Sequence, residues 1–401
     1  MLVLGGDWAP SDFNVDLKIN FDLLLVNLEG PIITEGAKNP SSKAGPSLYS
    51  SYFPKNSSKM GFALANNHSM DFGPETLKRS IRDLALQGAI YAGFGDNKKE
   101  SREIKYFKHD SAQFAWISAC EPQFGISTES SAGVAAVGSW MIPAIKDAAS
   151  NADFVIVSVH GGNEDIPWPS PHSVDFYHTL AEAGASIIHG HHSHVPQGFE
   201  KYGNTSIFYG LGNFAVNPEN WVHTPNGLWS LTVQFDPTSR DLWIPNPVSI
   251  KYDKFENPNK MQIAYLENSH SQKANEYFDF VNAPIKDFKL LSGLWQECAF
   301  HLFSKYGALF MEWDQSLSTT VRNKLSLFAR ECWKVDKKSE LRSFKLTKHQ
   351  SLLRYHMISC DSHRNVLTTV LGVLGEETED LRNMHTKKIF GGFMENVYEV
   401  K

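Results

Sequence analysis

The sequence predicts an α/β protein with a mainly α-helical C-terminal extension, and three features of its 401 residues point there. Short apolar runs take turns with amphipathic stretches up to about Asn213. Strand-like pieces broken by proline turns follow, from Leu228 to Tyr252. Beyond about Glu267 the strand signals fade and apolar residues recur at three-four spacing. The expected division is a first domain over residues 1–265 and a helical region of unknown role over 266–401.

The expected strands of the first half are Leu2 to Leu4, Asp22 to Val26, Gly61 to Ala65, Phe114 to Ser118, Phe154 to Val159, Ser186 to Ile188 and Ser206 to Tyr209. Between them, Leu77, Ile81 and Leu84 recur at helical spacing within Pro74 to Gln87. A second helix is expected over Val174 to Ala183, ending at Gly184. LWSLTVQF and PVSIKY, separated by Asp-Pro and Pro-Asn-Pro turns, read as a β-hairpin completing a sheet. In the C-terminal region, Ala274 to Val281, Leu294 to Phe303, Val321 to Cys332 and His349 to Ile358 read as helices. Lys337 to Lys348, charged and short of core residues, reads as a solvated connector.

Composition excludes several classes. The net charge of −6 leaves no basic footprint for phosphate-backbone binding, so nucleic acid is not an expected partner. No uncharged apolar run approaches the roughly 18 residues a spanning helix needs. Met1 to Gly6 lacks a basic stretch and a small-residue cleavage site, so it reads as a first strand and not an export signal. The four cysteines include no CxxC pair, which argues against a zinc knuckle and a disulfide scaffold and fits a cytoplasmic location.

The informative pattern is where polar residues fall. Asp7 follows the first apolar run, Asn27 and Glu29 the second, and Asn66, Asn67 and His68 the third. His160 follows a later run, and His189, His191, His192 and His194 another. Carboxyl ends of strands are where loops converge in α/β sheets, so one pocket accounts for all five groups. Carboxylate, amide oxygen and imidazole together suit manganese, iron or zinc. Seven of the sixteen histidines lie between His160 and His194.

Taken singly, these residues have plainer explanations. A lone Asp after a strand is commonly a cap or turn residue, and Asn66 and Asn67 suit left-handed turns. His172 and His178 sit in a loop and helix away from the strand ends, where structural roles are expected. His192 and His194, at i, i+2 spacing in GHHSHVPQ, can aim two imidazoles at one ion pair, with His189 or His191 orienting them.

GGDWAP, NLEGPI, ANNHSMDFG, HGGNEDIP, GHHSHVPQGFE and FYGLGNF, in this order over roughly residues 3–215, resemble the CapA family of poly-γ-glutamate capsule biosynthesis proteins. That family belongs to the calcineurin-like metallophosphatase superfamily. The resemblance implies a sandwich of two facing mixed sheets flanked by helices, with two divalent metal ions at the strand ends. It implies that Asp7 binds the first ion, Glu29 bridges, Asn67 binds the second, and His160, His192 and His194 complete the set. His68 would stand beside the substrate to protonate a leaving group or steady developing charge, with Asp71 holding its other nitrogen. Glu164 and Asn213 match positions characteristic of the family and are expected, with Asn27, Asn66, His189 and His191, to contact substrate or brace the ligands. Lys43 is either a contact for an anionic group or a solvated loop lysine. Two departures from ordinary phosphatases stand out: Ala9 where many carry a metal-binding His, and Glu29 in place of Asp.

The expected function is that of a metal-dependent hydrolase of capsule, exopolysaccharide or poly-γ-glutamate biosynthesis, cleaving a phosphoester or γ-glutamyl-type bond in an anionic small-molecule or polymer substrate. The alternative is a non-catalytic, polymer-binding component of a synthesis or export complex, with other capsule or polysaccharide synthesis proteins as partners. A phosphatase-like enzyme with a different small-molecule target, chosen by the helical region, is a third.

Overall fold

The computed structural model describes residues 1–36, 39–41, 43, 46–217, 229–239, 241–253, 257–266, 269–315 and 359–398. The expected helices at Val321 to Cys332 and His349 to Ile358, and the connector between them, lie outside the described residues.

Among the described residues, with strands numbered along the chain, the largest sheet has nine strands. They are β1 (Leu2–Ala9), β2 (Asn14–Lys18), β3 (Leu23–Leu28), β4 (Met60–Ala63), β5 (Ile90–Ala92), β14 (Asn213–Val216), β15 (Trp229–Phe235), β16 (Trp243–Asp253) and β17 (Asn257–Tyr265). Their order is β2-β17-β16-β15-β1-β3-β4-β5, with β14 also on β1. The parallel neighbours β1, β3 and β4 point their carboxyl ends the same way. The expected hairpin is in fact a three-stranded antiparallel meander, β15 to β17, which β2 extends in parallel.

The second sheet contains β7 (Lys105–His109), β8 (Ala112–Cys120), β10 (Phe154–His160), β11 (Ile187–His191), β12 (Phe199–Tyr202) and β13 (Thr205–Phe208), in the order β12-β13-β11-β10-β8-β7. Here β8, β10, β11 and β13 are parallel. A small pair, β6 (Phe94–Gly95) and β9 (Gly133–Val134), stands apart.

Two-residue periodicity sorts the cores. On β1, Leu2 and Leu4 join the core shared with the six-stranded sheet, while Val3 faces the opposite core. Leu25 of β3 likewise faces the shared core, between Leu24 and Val26 on the other side. The sheets meet through Phe235 of β15, whose ring packs edge-on against Phe114 and Phe154 at 5.4 and 4.9 Å. This is the mixed-sheet sandwich, and the outer face of the large sheet is covered by α1 (Pro74–Leu86) through Leu77, Ile81 and Leu84. Proline at the first helical position needs no hydrogen-bonded N–H, so α1 starts there.

The four-residue α2 (Lys98–Ser101) is capped by Asn97, which accepts from Lys99 N and Glu100 N. On the six-stranded sheet lie α3 (Met141–Asn151) and α4 (Pro171–Glu182), burying Ile145 and Leu180. The C-terminal helices are α5 (Ser269–Asn282), α6 (Phe288–Gln315), α7 (Asp361–Leu374) and α8 (Met384–Tyr398). The expected helix at Leu294 to Phe303 is the middle of the much longer α6. Phe278, Leu294, Val366 and Phe393 of these helices belong to the same buried cluster as Trp116 and Ile156 of the six-stranded sheet. No helix among the described residues is long and apolar enough to cross a membrane.

Candidate metal centre

Five strand ends converge because the parallel strands of both sheets present their carboxyl ends to one edge. The strands run further than expected, so Asp7 and Asn27 lie within β1 and β3, as register partners, and His160 is the last residue of β10. Glu29 directly follows β3 and Asn66 to Asp71 form the turn after β4. His191 ends β11, and His192 and His194 sit in the loop beyond it.

Two glycines permit this approach. A Cβ on Gly6 would stand 1.8 Å from the Gly212 carbonyl oxygen, and one on Gly190 would stand 1.9 Å from that of Tyr209. The loop itself is strained: His192 and His194 have φ of 84° and 57°, left-handed values uncommon for residues with a Cβ. Asp165 N bonds to Ser193 O at 2.9 Å, fastening the loop after β10 to this turn.

The polar side chains form three groups whose donor atoms lie within 4.8 Å of one another: Asp7, Glu29 and His194; Glu29, His160 and His192; and Glu164, His192 and His194. Glu29 belongs to two of them. Its Oε1 lies 3.7 Å from His160 Nε2 and 4.0 Å from His68 Nε2. Both Glu29 oxygens are buried without a hydrogen bond. Burial, and the nearby Asp7 carboxylate, push the Glu29 carboxyl up to about 8. A wholly buried carboxylate lacking donors is costly unless a cation sits beside it, so these residues fit a divalent ion.

The imidazoles divide by charge. Burial holds His160 well below the ordinary histidine range and His192 down to about 3, neutral as ligands must be. At His194 burial opposes the charge, but Glu29, Glu164 and Asp7 outweigh it and hold the imidazolium up to about 9. For Asp7 burial also opposes the charge, and His191, His194 and Asn27 overcome it, keeping the carboxyl below its usual range.

Around these sit the braces. Asn27 Nδ2 donates to Asp7 Oδ1 at 2.8 Å and lies 3.1 Å from His160 Nδ1. His160 Nε2 is 2.9 Å from Asn67 Oδ1, which brings Asn67 to the centre. Asn213 Oδ1 lies 2.9 Å from His194 Nδ1. His191 Nδ1 is 3.2 Å from Asp7 Oδ1. Glu164 Oε1 stands 3.9 Å from His192 Nε2.

Of the other residues expected here, Asn66 backs the braces and His189 lies in the core. Asn66 spends its amide on the backbone and its neighbours: Nδ2 donates to Leu28 O and Asn27 Oδ1, and Oδ1 accepts from His68 N and Ser69 Oγ. It shapes the turn and, through Asn27 Oδ1, steadies the amide that braces Asp7 and His160. His189 lies one alternation deeper on β11 than His191 and bonds Ser158 Oγ at 2.8 Å, in a buried chain that continues to Trp116 Nε1. His178 stacks on Tyr202 and pairs with Glu200, a structural role.

His68, Asp71 and Lys43 form a cluster beside the centre. Asp71 Oδ2 lies 2.8 Å from His68 Nδ1 and accepts from Leu48 N at 2.8 Å, and Asp71 Oδ1 pairs with Lys43 Nζ. The Lys43 side chain is 4% exposed, so the solvated-loop alternative is excluded. Its ammonium lies 2.9 Å from His68 Nδ1 and donates to Asn67 O. Burial, then this ammonium, pull His68 down to about 4, so it is neutral near pH 7. Nδ1 is thus taken up by Asp71 and Lys43, and Nε2 is the ring nitrogen turned toward Glu29.

At Ala9 no donor is offered, and its methyl packs with Leu48 and Val216. Sequence reasoning missed Glu121, which follows β8 and reaches Ser362 at the start of α7. Its only signal was its position after a strand.

The model of the family described as bacterial capsule synthesis protein PGA_cap matches residues 14–218. The capsule biosynthesis protein CapA of Bacillus anthracis is 32% identical over 233 residues, covering 55% of this chain and 56% of that protein. The PGA biosynthesis protein CapA of Bacillus subtilis (strain 168) is 30% identical over 200 residues, covering 47% and 52%. A probable polyglutamine synthesis accessory protein of Mycobacterium tuberculosis is 32% identical over 166 residues, covering 38% and 43%. The chain spans about half the length of the curated relatives it matches.

Proposed function

The chain belongs to the bacterial capsule synthesis protein PGA_cap family, and on that premise we propose that it is a metal-dependent hydrolase of capsule or poly-γ-glutamate biosynthesis, acting on a phosphoester or γ-glutamyl-type bond. Support comes first from Glu29, a buried carboxylate without hydrogen bonds between His160 and His194, at the place where two candidate ligand groups overlap. Asp7, Glu29 and His194 would hold one ion, and Glu29, Asn67, His160 and His192 the other. The donor set suits manganese, iron or zinc, and such ions supply Lewis-acid polarisation and activation of water at neutral pH.

The chain's own groups supply the rest. Asn27 and Asn213 fix Asp7, His160 and His194 through hydrogen bonds, so the ligands are oriented before anything binds. His68, neutral and held at Nδ1 by Asp71 and Lys43, turns Nε2 toward the centre, where it would protonate a leaving group or steady developing charge, general acid–base work worth roughly 10²–10⁴-fold in rate. The Lys43 ammonium places positive charge beside it, suited to an anionic substrate.

Ala9 favours a second reading, a polymer-binding component that keeps the pocket without turnover and works with other synthesis proteins. One experiment separates the two: metal analysis of protein purified without chelator, with hydrolysis of a generic phosphodiester and of γ-glutamyl peptides under added manganese, zinc or iron. About two equivalents of metal and metal-dependent turnover lost in Glu29→Gln support the hydrolase. Bound polymer with no turnover under any ion supports the binding component.

A further inference from the structure

Glu121 stands one residue past β8, whose last residue, Cys120, is the register partner of His160 on β10. Its backbone N–H donates to His160 O at 2.9 Å, and its Oε1 accepts from Gly162 N at 3.0 Å. One residue therefore grips the chain on both sides of Gly161. A Cβ on Gly161 would lie 2.7 Å from Glu121 Cγ and 2.8 Å from Oε1, so the loop leaving His160 is moulded onto this side chain. Gly162 follows with φ of 100°, and further along Asp165 N reaches Ser193 O, between His192 and His194.

The same carboxylate has partners in the C-terminal helices. Ser362 donates to it from N at 3.1 Å and from Oγ at 2.7 Å, and Cys360 Sγ lies 3.5 Å from Oε2. A helix start is ordinarily satisfied by its own cap side chain, Ser, Thr, Asn or Asp. In α7 that position is Cys360, which makes no cap hydrogen bond. The helix instead takes its acceptor from a residue 241 positions earlier, the one that also shapes the His160 loop.

α7 is firmly seated. Val366 and Val370 belong to the core shared with the six-stranded sheet, and Trp295 Nε1 of α6 donates to Thr369 Oγ1 at 3.0 Å. Its first turn also lies near the metal centre. Asp361 walls the same cavity of about 190 Å³ as Gly161 and Gly162. Burial and His194 lower His192, and the charge of His363 reaches far enough to add to that.

We propose that Glu121 is a positioning residue for the metal centre: its carboxylate clasps the first turn of α7 to the loop leaving His160, so that the C-terminal helices set the spacing of His160 and His192. This rests on the proposal that the centre holds metal. The loop is held at His160 O, Gly162 N and Asp165 N, which leaves it little freedom. Groups that brace ligands in this way are worth roughly 10–100-fold in metal affinity.

The test uses cobalt(II) as the probe metal on the full chain, with calorimetry for affinity and visible absorption for ligand geometry. Glu121→Ala, folded by circular dichroism, is expected to bind cobalt about tenfold or more weakly, with a changed absorption spectrum. Glu121→Gln, which keeps one acceptor oxygen, should restore much of both. Ser362→Ala should shift both in the direction of Glu121→Ala, and it decides the matter if Glu121→Ala does not fold. Trp295→Phe removes the hydrogen bond between α6 and α7 away from the clasp and should leave the spectrum as in wild type. In chelated protein, exchange of the Gly162 amide should quicken in Glu121→Ala. Unchanged affinity and spectrum in Glu121→Ala, or an equal change in Trp295→Phe, overturns the proposal. Wild type that takes up no cobalt overturns the metal-dependent reading itself, and this inference falls with it.

Discussion

Glu29 Oε1 and His160 Nε2 stand 3.7 Å apart, both residues buried, with neither Glu29 oxygen hydrogen bonded. Burial keeps His160 uncharged, so this is not an ion pair, and the two donor atoms belong to one of the groups that could hold a metal ion.

Glu29→Gln is expected to stabilise the metal-free protein while abolishing metal binding. The Glu29 carboxyl is raised from 4.5 to about 8, so the folded state holds a proton that the unfolded state has lost. Its contribution to stability is fully present below pH 4.5 and is lost as pH rises through about 8. Chelated wild type should therefore lose melting temperature across that window relative to Glu29→Gln, by roughly 3 °C or more at the top. Parallel melting curves would contradict the reading.

Metal uptake should release protons. Glu29 and His194, held up to about 8 and about 9, carry protons in the metal-free protein at neutral pH, and ligands must give them up. Calorimetric titration with manganese in buffers of different ionisation enthalpy should show release at pH 7, with affinity rising toward pH 9. Proton-neutral binding would count against these two residues as ligands.

His68→Ala should lower turnover about 10²–10⁴-fold with metal content unchanged. Burial depresses the His68 pKa most and the Lys43 ammonium adds to it, so Lys43→Met should raise that pKa above about 4. Histidine NMR titration reads the shift directly, and an unmoved resonance would refute the coupling.

Gly6→Ala should destabilise the fold by about 1–3 kcal/mol and cut metal affinity, because its methyl group meets the Gly212 carbonyl beside Asp7. Denaturant melts of the chelated variant separate the two effects. Wild-type stability would mean that the 211–212 backbone yields freely.

Glu121→Ala should loosen α7 more than the sandwich, since Ser362 N and Oγ lose their acceptor, at about 1–3 kcal/mol. Hydrogen exchange should quicken at the start of α7 while β10 stays protected. Uniform exchange across both would show that the helices and the sandwich open together.

The alternation of apolar runs was enough to place β1, β3, β4, β8, β10, β11 and β13, each within a few residues, because a buried parallel strand needs a continuous apolar run. Strands such as β2, β7 and β12 escaped it because their residues are mixed, half on the surface. β17 escaped because its pairing with β16 and β2, and not its composition, makes it a strand. The end of each strand can be read for polar residues, which singles out Asp7, Glu29, Asn67, His160, His192 and His194 among others, while their roles as candidate ligands are what the family resemblance implies. Their meeting at one edge is a tertiary fact, set by parallel pairing in two sheets.

What the sequence determined by itself is therefore the alternation, the strand ends and the residue types that gather there, because these depend on local periodicity and short motifs. Only the tertiary structure decided which of those residues face the centre. Asn66 reaches the centre only through Asn27, His189 is turned into a core hydrogen bond, and Lys43, from a polar loop, is buried against Asp71. The physical reason is that a side chain's partner is chosen by what lies within about 3 Å of it, and for Glu121 and Ser362 that neighbour is 241 residues away.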